Sequence, residues 1–272
     1  VTPGDPPGGA REPAAPGGGL RLARPVKVFA CDVDGCLAAA GHADYDLGAL
    51  ARVAELNRLS ASDPSVPALT FVTGRPHAYV DALSQALAVR LPMSFENGAG
   101  LATRHPYGYW LDERVELGLS ALRQFAAAVE ETDHLTLQPG KVASLSVFPR
   151  PAGRDVHELA AELARMMERL GLRLALDPST DCVNVLVPGV DKATGFAWLC
   201  RELRLGPEEV AGVGDSVGDV EWLRACGASF APANAVDEVK RSVGAVSALP
   251  DVGAVVEAYE ALVAANRRLL EG

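Results

Sequence analysis

The sequence predicts an α/β fold in which a parallel sheet is interrupted by an inserted α+β unit. Three observations lead there. Short runs at 26–33 and 66–74 are mainly apolar and rich in β-branched and aromatic residues, as strands covered on both faces require. Segments with apolar residues at helical spacing follow them, so strand and helix alternate as in a parallel sheet. From about residue 101 the order becomes helix-strand-strand, twice, and after Pro188 the alternation returns.

Taken in order, residues 1–24 read as a disordered tail, because Pro and Gly at that density cannot build a packed element. The first strand runs over 26–33. Residues 46–60 carry Leu47, Leu50, Val53 and Leu56 at helical spacing, and 66–74 form a second strand. Pro76 opens a second helix over 76–89, and the segment MSFENGAG ends a third strand in a Gly-rich turn. The inserted unit has helices at 117–131 and 156–170 and strands at 135–138, 142–148, 173–176 and 182–187. Helices at 192–203, 220–225, 235–242 and 252–270 and strands at 210–213 and 228–231 complete the chain. The domains expected are a core of 25–100 and 188–272 and an inserted unit of 101–187.

The chain has 272 residues, 49% of them hydrophobic, enough for a sizeable core, and a formal net charge of -10. That balance argues against nucleic acid, whose binders present a basic face. A small phosphorylated metabolite remains a suitable partner, provided the site meets its charge locally. No run reaches the roughly 18–20 apolar residues that span a bilayer, and the first residues lack the apolar centre of a signal peptide. Five scattered cysteines form neither a CxxC pair nor a disulfide framework, which points to a reducing cytoplasm. The five histidines show no metal-ligand spacing, so zinc is not expected.

Four segments at the ends of expected strands carry the chemistry, where open parallel sheets bind ligands. In CDVDGCL, Asp32 and Asp34 are like charges in close quarters, a costly arrangement unless a cation such as Mg²⁺ offsets it. Taken alone, the pair could equally be a capped strand end. Thr73 and Gly74 place a hydroxyl and an open amide before a helix, suiting phosphate oxygens, or simply a turn. Lys192 opens a helix, where a cation wants an anionic partner, or is a solvated lysine; Asp191 before it reads as the N-cap. In GVGDSVGD, Asp215 and Asp219 are one helical turn apart and can share a cation, or a turn and a cap.

As a set, these segments resemble the haloacid dehalogenase superfamily of phosphohydrolases, whose pattern is DxDG[TV][LI], [ST]G, K and GDxxxD. The resemblance implies a Rossmann-like core with a C2-type cap of the Cof-like subgroup, which includes hydrolases of sugar phosphates. It implies a Mg²⁺-dependent phosphatase in which Asp32 is the nucleophile and Asp34 the general acid and base. Asp32, the main-chain carbonyl of Asp34, and Asp215 would hold Mg²⁺ with help from Asp219, and Thr73, Gly74 and Lys192 would cradle the phosphoryl group. A phosphomutase using the same aspartates, a phospho-accepting module and a non-catalytic binding protein are the alternatives.

Cys36 and Gly218 depart from the family pattern. Cys36 has no evident base beside it and is expected to pack as a small hydrophobe. Arg75 and Asn97 are substrate candidates, although a surface arginine and a turn asparagine are the simpler expectations. Asn234 is a further candidate. Lys141, Ser144, Arg104 and His105 of the inserted unit could meet a substrate's polar groups, although surface placement is the simpler expectation, and Tyr107, Tyr109 and Trp110 read as core ahead of a sugar-stacking wall.

Overall fold

The structure, a computed structural model, describes residues 19–39 and 43–272. In chain order the core opens with β1 (Val28–Cys31), α1 (Leu47–Leu59), β2 (Ala68–Phe71) and α2 (His77–Ala86). Next come three short strands, β3 (Met93–Phe95), β4 (Gly100–Arg104) and β5 (Tyr107–Leu111). Helix α3 (Glu113–Glu130), β6 (Leu135–Leu137) and β7 (Leu145–Pro149) form one half of an inserted layer. The other half is α4 (Val156–Leu170), β8 (Ala175–Pro178) and β9 (Val183–Leu186). The chain then returns through α5 (Lys192–Leu203), β10 (Val210–Val213), α6 (Val220–Ala225), β11 (Ala228–Ala231), α7 (Asp237–Ser242), β12 (Ala245–Val246) and α8 (Asp251–Glu271).

The main sheet has the order β12-β11-β10-β1-β2 and is parallel at every pairing. Its centre explains why those runs read as uniformly apolar. In β1, Phe29 and Cys31 pack into one core cluster with α8, while Val28 and Ala30 pack into another with α5 and α6. Both faces are covered, so no polar alternation survives. Two of the helices begin at side-chain caps: Asp46 accepts from Ala49 N, and Asp191, the expected N-cap, accepts from Thr194 N within a capping box.

The inserted layer is an antiparallel sheet of order β6-β7-β9-β8. Val147, Val183 and Val185 on one face form a third core cluster with Phe125 of α3 and Leu163 of α4. The opposite face alternates in register and carries Thr136, Ser146, Phe148, Asp177 and Asn184. That face borders a cavity with Arg75, Pro76 and Tyr79, which follow β2 of the main sheet.

Three expectations change here. The tail expected over 1–24 lies partly outside the described residues, but Leu20 and Leu22 pack against the core, and Arg268 donates to Leu20 O at 2.8 Å. Order therefore starts before Pro25. The β4–β5 hairpin was not foreseen; Leu101 and Ala102 pack into core clusters, so the boundary expected at 100/101 falls inside it. Its residues Tyr107, Tyr109 and Trp110 are not core: all three are exposed, lying on an edge strand where the pleat turns part of each ring to solvent.

Candidate active site

The ends of β1, β2 and β10 and the start of α5 converge on one acidic pocket. Past β1, Asp32 is buried and Asp34 is half-exposed, with Gly35 turning the chain between them and Leu37. Gly35 has φ +70°, and a Cβ there would lie 2.1 Å from Asp215 Oδ2. No other residue type fits without moving that carboxylate. Gly35→Ala is therefore expected to cost about 1–2 kcal/mol for the left-handed backbone alone. It should also displace Asp215, seen as weakened Mg²⁺ binding in a titration followed by thermal unfolding.

Lys192 is no solvated lysine. It is buried at the first turn of α5, and its ammonium donates to Asp32 Oδ2 and Asp219 Oδ1, both at 2.8 Å. Burial alone would drive its proton off, but Asp219 and Asp32 outweigh that and hold its pKa well above the ordinary lysine range. Asp219 is fully buried. Against the cost of that burial, Lys192 and donors from Ser216 and Trp222 keep its carboxyl below the usual range. Its Oδ2 accepts from the amides of Asp215 and Ser216 and from Ser216 Oγ, and its Oδ1 from Trp222 Nε1 as well as Lys192. Both oxygens are thus engaged within the protein.

Asp32 and Asp215 are left with charge to spare. Burial, opposed by Lys192, raises Asp32 well above the ordinary carboxylate range. Burial and then the neighbouring Asp219 push Asp215 up to about 7. Oxygens of Asp32, Asp215 and Asp219 lie within 4.8 Å of one another. Three carboxylates against one lysine in a water-poor site fit a hard divalent cation with oxygen ligands. With Asp219 saturated, Asp32, Asp215 and the carbonyl of Asp34 are the groups that would hold it.

Thr73 is fully buried at the end of the second strand, and its Oγ1 accepts from Arg75 N at 3.2 Å. Arg75 departs from the surface expectation. Its side chain is 15% exposed, pairs with Asp34 through Nε and Nη2, and lies over the ring of Tyr79 at 4.6 Å. His77 joins Phe95 and Tyr109 in an aromatic cluster. A cavity of about 450 Å³ opens between Arg75, Pro76 and Tyr79 of the core and Thr136, Gln138 and Phe148 of the inserted layer.

Residues 96–98 form an unusual turn. Glu96, Asn97 and Gly98 all have positive φ, at 49°, 56° and 85°. Non-glycine residues adopt this conformation at a cost, so neighbouring contacts must hold them there. Glu96 N donates to Arg75 O and Asn97 N to Thr73 O, which ties the turn to the Thr73–Gly74 loop. The buried Glu96 carboxylate accepts from Val142 N, Ala143 N and Ser144 Oγ, at 3.0, 2.9 and 3.0 Å. Sequence reasoning missed this clamp altogether and placed Ser144 on the surface. Asn97 is also buried, and its Nδ2 has no partner among the described residues.

Two other expectations are settled by contacts. Asn234 donates to Gly35 O and accepts from Asp251 N, so it braces the Asp32–Gly35 loop rather than facing a ligand. Cys36 is fully buried and desolvation raises its thiol pKa well above the ordinary value, which makes it an inert packing residue.

A family profile described as haloacid dehalogenase-like hydrolase matches residues 155–258. The chain is similar to that family over this segment. It is 28% identical over 204 residues to a phosphoglycolate phosphatase from Methanopyrus kandleri, a match covering 73% of this chain and 81% of the relative. Among solved structures it is similar to a Thermoplasma acidophilum protein (TM-score 0.68, 18% identity, covering 88% of this chain and 99% of the other). It is also similar to the sucrose-phosphatase of Synechocystis (TM-score 0.62, 19% identity, 88% and 98% covered). The relatives over most of the chain's length are named phosphoglycolate phosphatases, which indicates an enzyme of the phosphatase class. No helix among the described residues is long and apolar enough to cross a membrane.

Proposed function

We propose that the chain is a Mg²⁺-dependent phosphatase of small phosphomonoesters, working through an aspartyl-phosphate on Asp32. The observation that carries this reading is the buried Asp32–Lys192–Asp219 ion-pair set beside Asp215. The cation, when bound, neutralises the carboxylates and the phosphoryl oxygens, so that anion can approach anion.

The protein's own groups do the rest. An oxygen of Asp32 attacks phosphorus and the ester P–O bond breaks, its electron pair leaving with the alcohol oxygen. Asp34, half-exposed beside Asp32, gives its proton to that oxygen once Arg75 has released it. Water then attacks the phosphorus of the aspartyl-phosphate while Asp34 takes its proton. Inorganic phosphate departs and Asp32 is regenerated. Lys192, Thr73 and Gly74 line the phosphoryl side, where positioning and charge compensation supply most of the acceleration.

For substrate we place phosphate esters of small hydroxy acids ahead of sugar phosphates. The Methanopyrus relative shares sequence over most of its length and is named a phosphoglycolate phosphatase. The sucrose-phosphatase shares the fold. Free thiols at all five cysteines accord with a cytoplasmic setting.

Phosphate release from 2-phosphoglycolate and from hexose phosphates, with and without Mg²⁺, tests the reading. Hydrolysis that survives exhaustive chelation would overturn it. The pH dependence is also determined. Asp215 has a folded pKa above its ordinary 3.8, so its contribution to stability is present below that value and is lost as pH rises through about 7. Mg²⁺ needs the ionised form, so the rise in Tm on adding Mg²⁺ should be small near about pH 5.5 and grow to a plateau above about pH 8.

A further inference from the structure

We propose that Lys141, held over the site by the Glu96 clamp, is a specificity-determining residue that takes a carboxylate on the leaving group of the substrate. The inference rests on the phosphatase reading and adds to it the residue that selects the ester.

Lys141 stands immediately before the residues whose amides and hydroxyl grip Glu96. Glu96 is in turn tied to Arg75 and, through Asn97, to Thr73. One strained turn thus fixes the Lys141 loop relative to the phosphate side of the site. The lysine is partly buried, and its charged surroundings are Glu96, Cys182, Asp34 and Arg75. Desolvation holds its ammonium below the ordinary lysine range, only partly countered by Glu96.

None of those groups serves as its acceptor among the described residues. The Glu96 carboxylate is filled by its three donors from the loop, and that of Asp34 is paired with Arg75. Asp177, on the facing strand, accepts from Asn184. An ammonium drawn out of water with no hydrogen-bond acceptor among the described residues is suited to an anion. A second observation points the same way: Asn97, on the other side of Glu96, presents a fully buried Nδ2 with no acceptor. Among the described residues, two donors without acceptors thus adjoin the clamp, Lys141 beside Val142 and Asn97 beside Glu96. A carboxylate, with two acceptor oxygens and one charge, matches the ammonium of Lys141.

The test is the ratio of kcat/KM for 2-phosphoglycolate to that for ethyl phosphate, which has the same length without the carboxylate. In the parent enzyme with Mg²⁺ the ratio should be well above one. Lys141→Met should lower it about 10- to 100-fold, the effect of losing one charged hydrogen bond, chiefly through KM for the acid, and Lys141→Arg should restore part of it. Thermal unfolding of each variant separates lost recognition from lost fold. An enzyme that hydrolyses both esters with equal kcat/KM, or a ratio unchanged in Lys141→Met, overturns this inference and leaves the phosphatase reading standing. Failure to hydrolyse any phosphomonoester overturns both.

Discussion

Asp32→Asn is expected to reduce phosphate release by roughly 10³-fold or more while leaving the protein folded and its Tm undiminished. The two halves of this expectation come from the same environment. Burial makes the ionised Asp32 expensive, and its pKa is raised even with Lys192 alongside. A neutral amide of the same shape removes that cost, and its oxygen can still accept from Lys192, which keeps its second partner in Asp219. Loss of turnover with an intact melting transition therefore reports lost nucleophilicity and not lost structure. Acid quench after incubation with ³²P-labelled substrate should trap phosphate on the parent chain and none on the variant. An Asp32→Asn protein with undiminished turnover would remove the covalent mechanism entirely.

Lys192→Met should show the opposite pattern, with stability and activity falling together. Among the described residues the ammonium is the sole cation bonded to these two buried carboxylates, and deleting one partner of such a set strands the charge that remains. The expected loss is about 3–5 kcal/mol, which for a chain of this size lowers Tm by roughly 10 °C. The sign of the pH dependence identifies the cause. In the parent, Asp219 has a depressed folded pKa, so its stabilisation is present above the ordinary carboxylate value and is lost as pH falls through the folded one. Without Lys192 that benefit disappears. The variant's deficit should be greatest near neutrality and shrink as acid protonates the stranded carboxylates. Added Mg²⁺ should recover part of the Tm and little of the activity. A deficit independent of pH would show that Lys192 acts by packing.

Much of this was legible in the sequence because it depends on local rules. The helix at 156–170 matches its expected limits because Asp155 caps it and Gly171, with φ 65°, ends it. The strands at 210–213 and 228–231 were visible as short, mainly apolar runs, which the fold buries almost entirely. Asp32, Asp34, Lys192, Asp215 and Asp219 stood out because charged residues follow such runs directly. What escaped depends on partners distant in the chain. The Arg75–Asp34 pair spans 41 residues and the Glu96 clamp 46 to 48, and two of the three donors in that clamp are backbone amides, whose presence no side-chain pattern announces. The hairpin at 100–111 was missed because Tyr107, Tyr109 and Trp110 look like core residues, whereas an edge strand leaves them open to solvent.

The Glu96 clamp also bears on how such an enzyme could change its substrate over evolutionary time. An inserted layer that touched the core only through side chains could be exchanged freely, with chemistry conserved beneath and selectivity renewed above. Here the core reaches up and takes hold of the backbone of the specificity loop. Backbone amides are present whatever residues that loop carries, proline excepted, so position 141 can mutate while its placement is inherited. The arrangement separates the choice of ligand from the geometry of its presentation, leaving one free to drift while the other stays fixed.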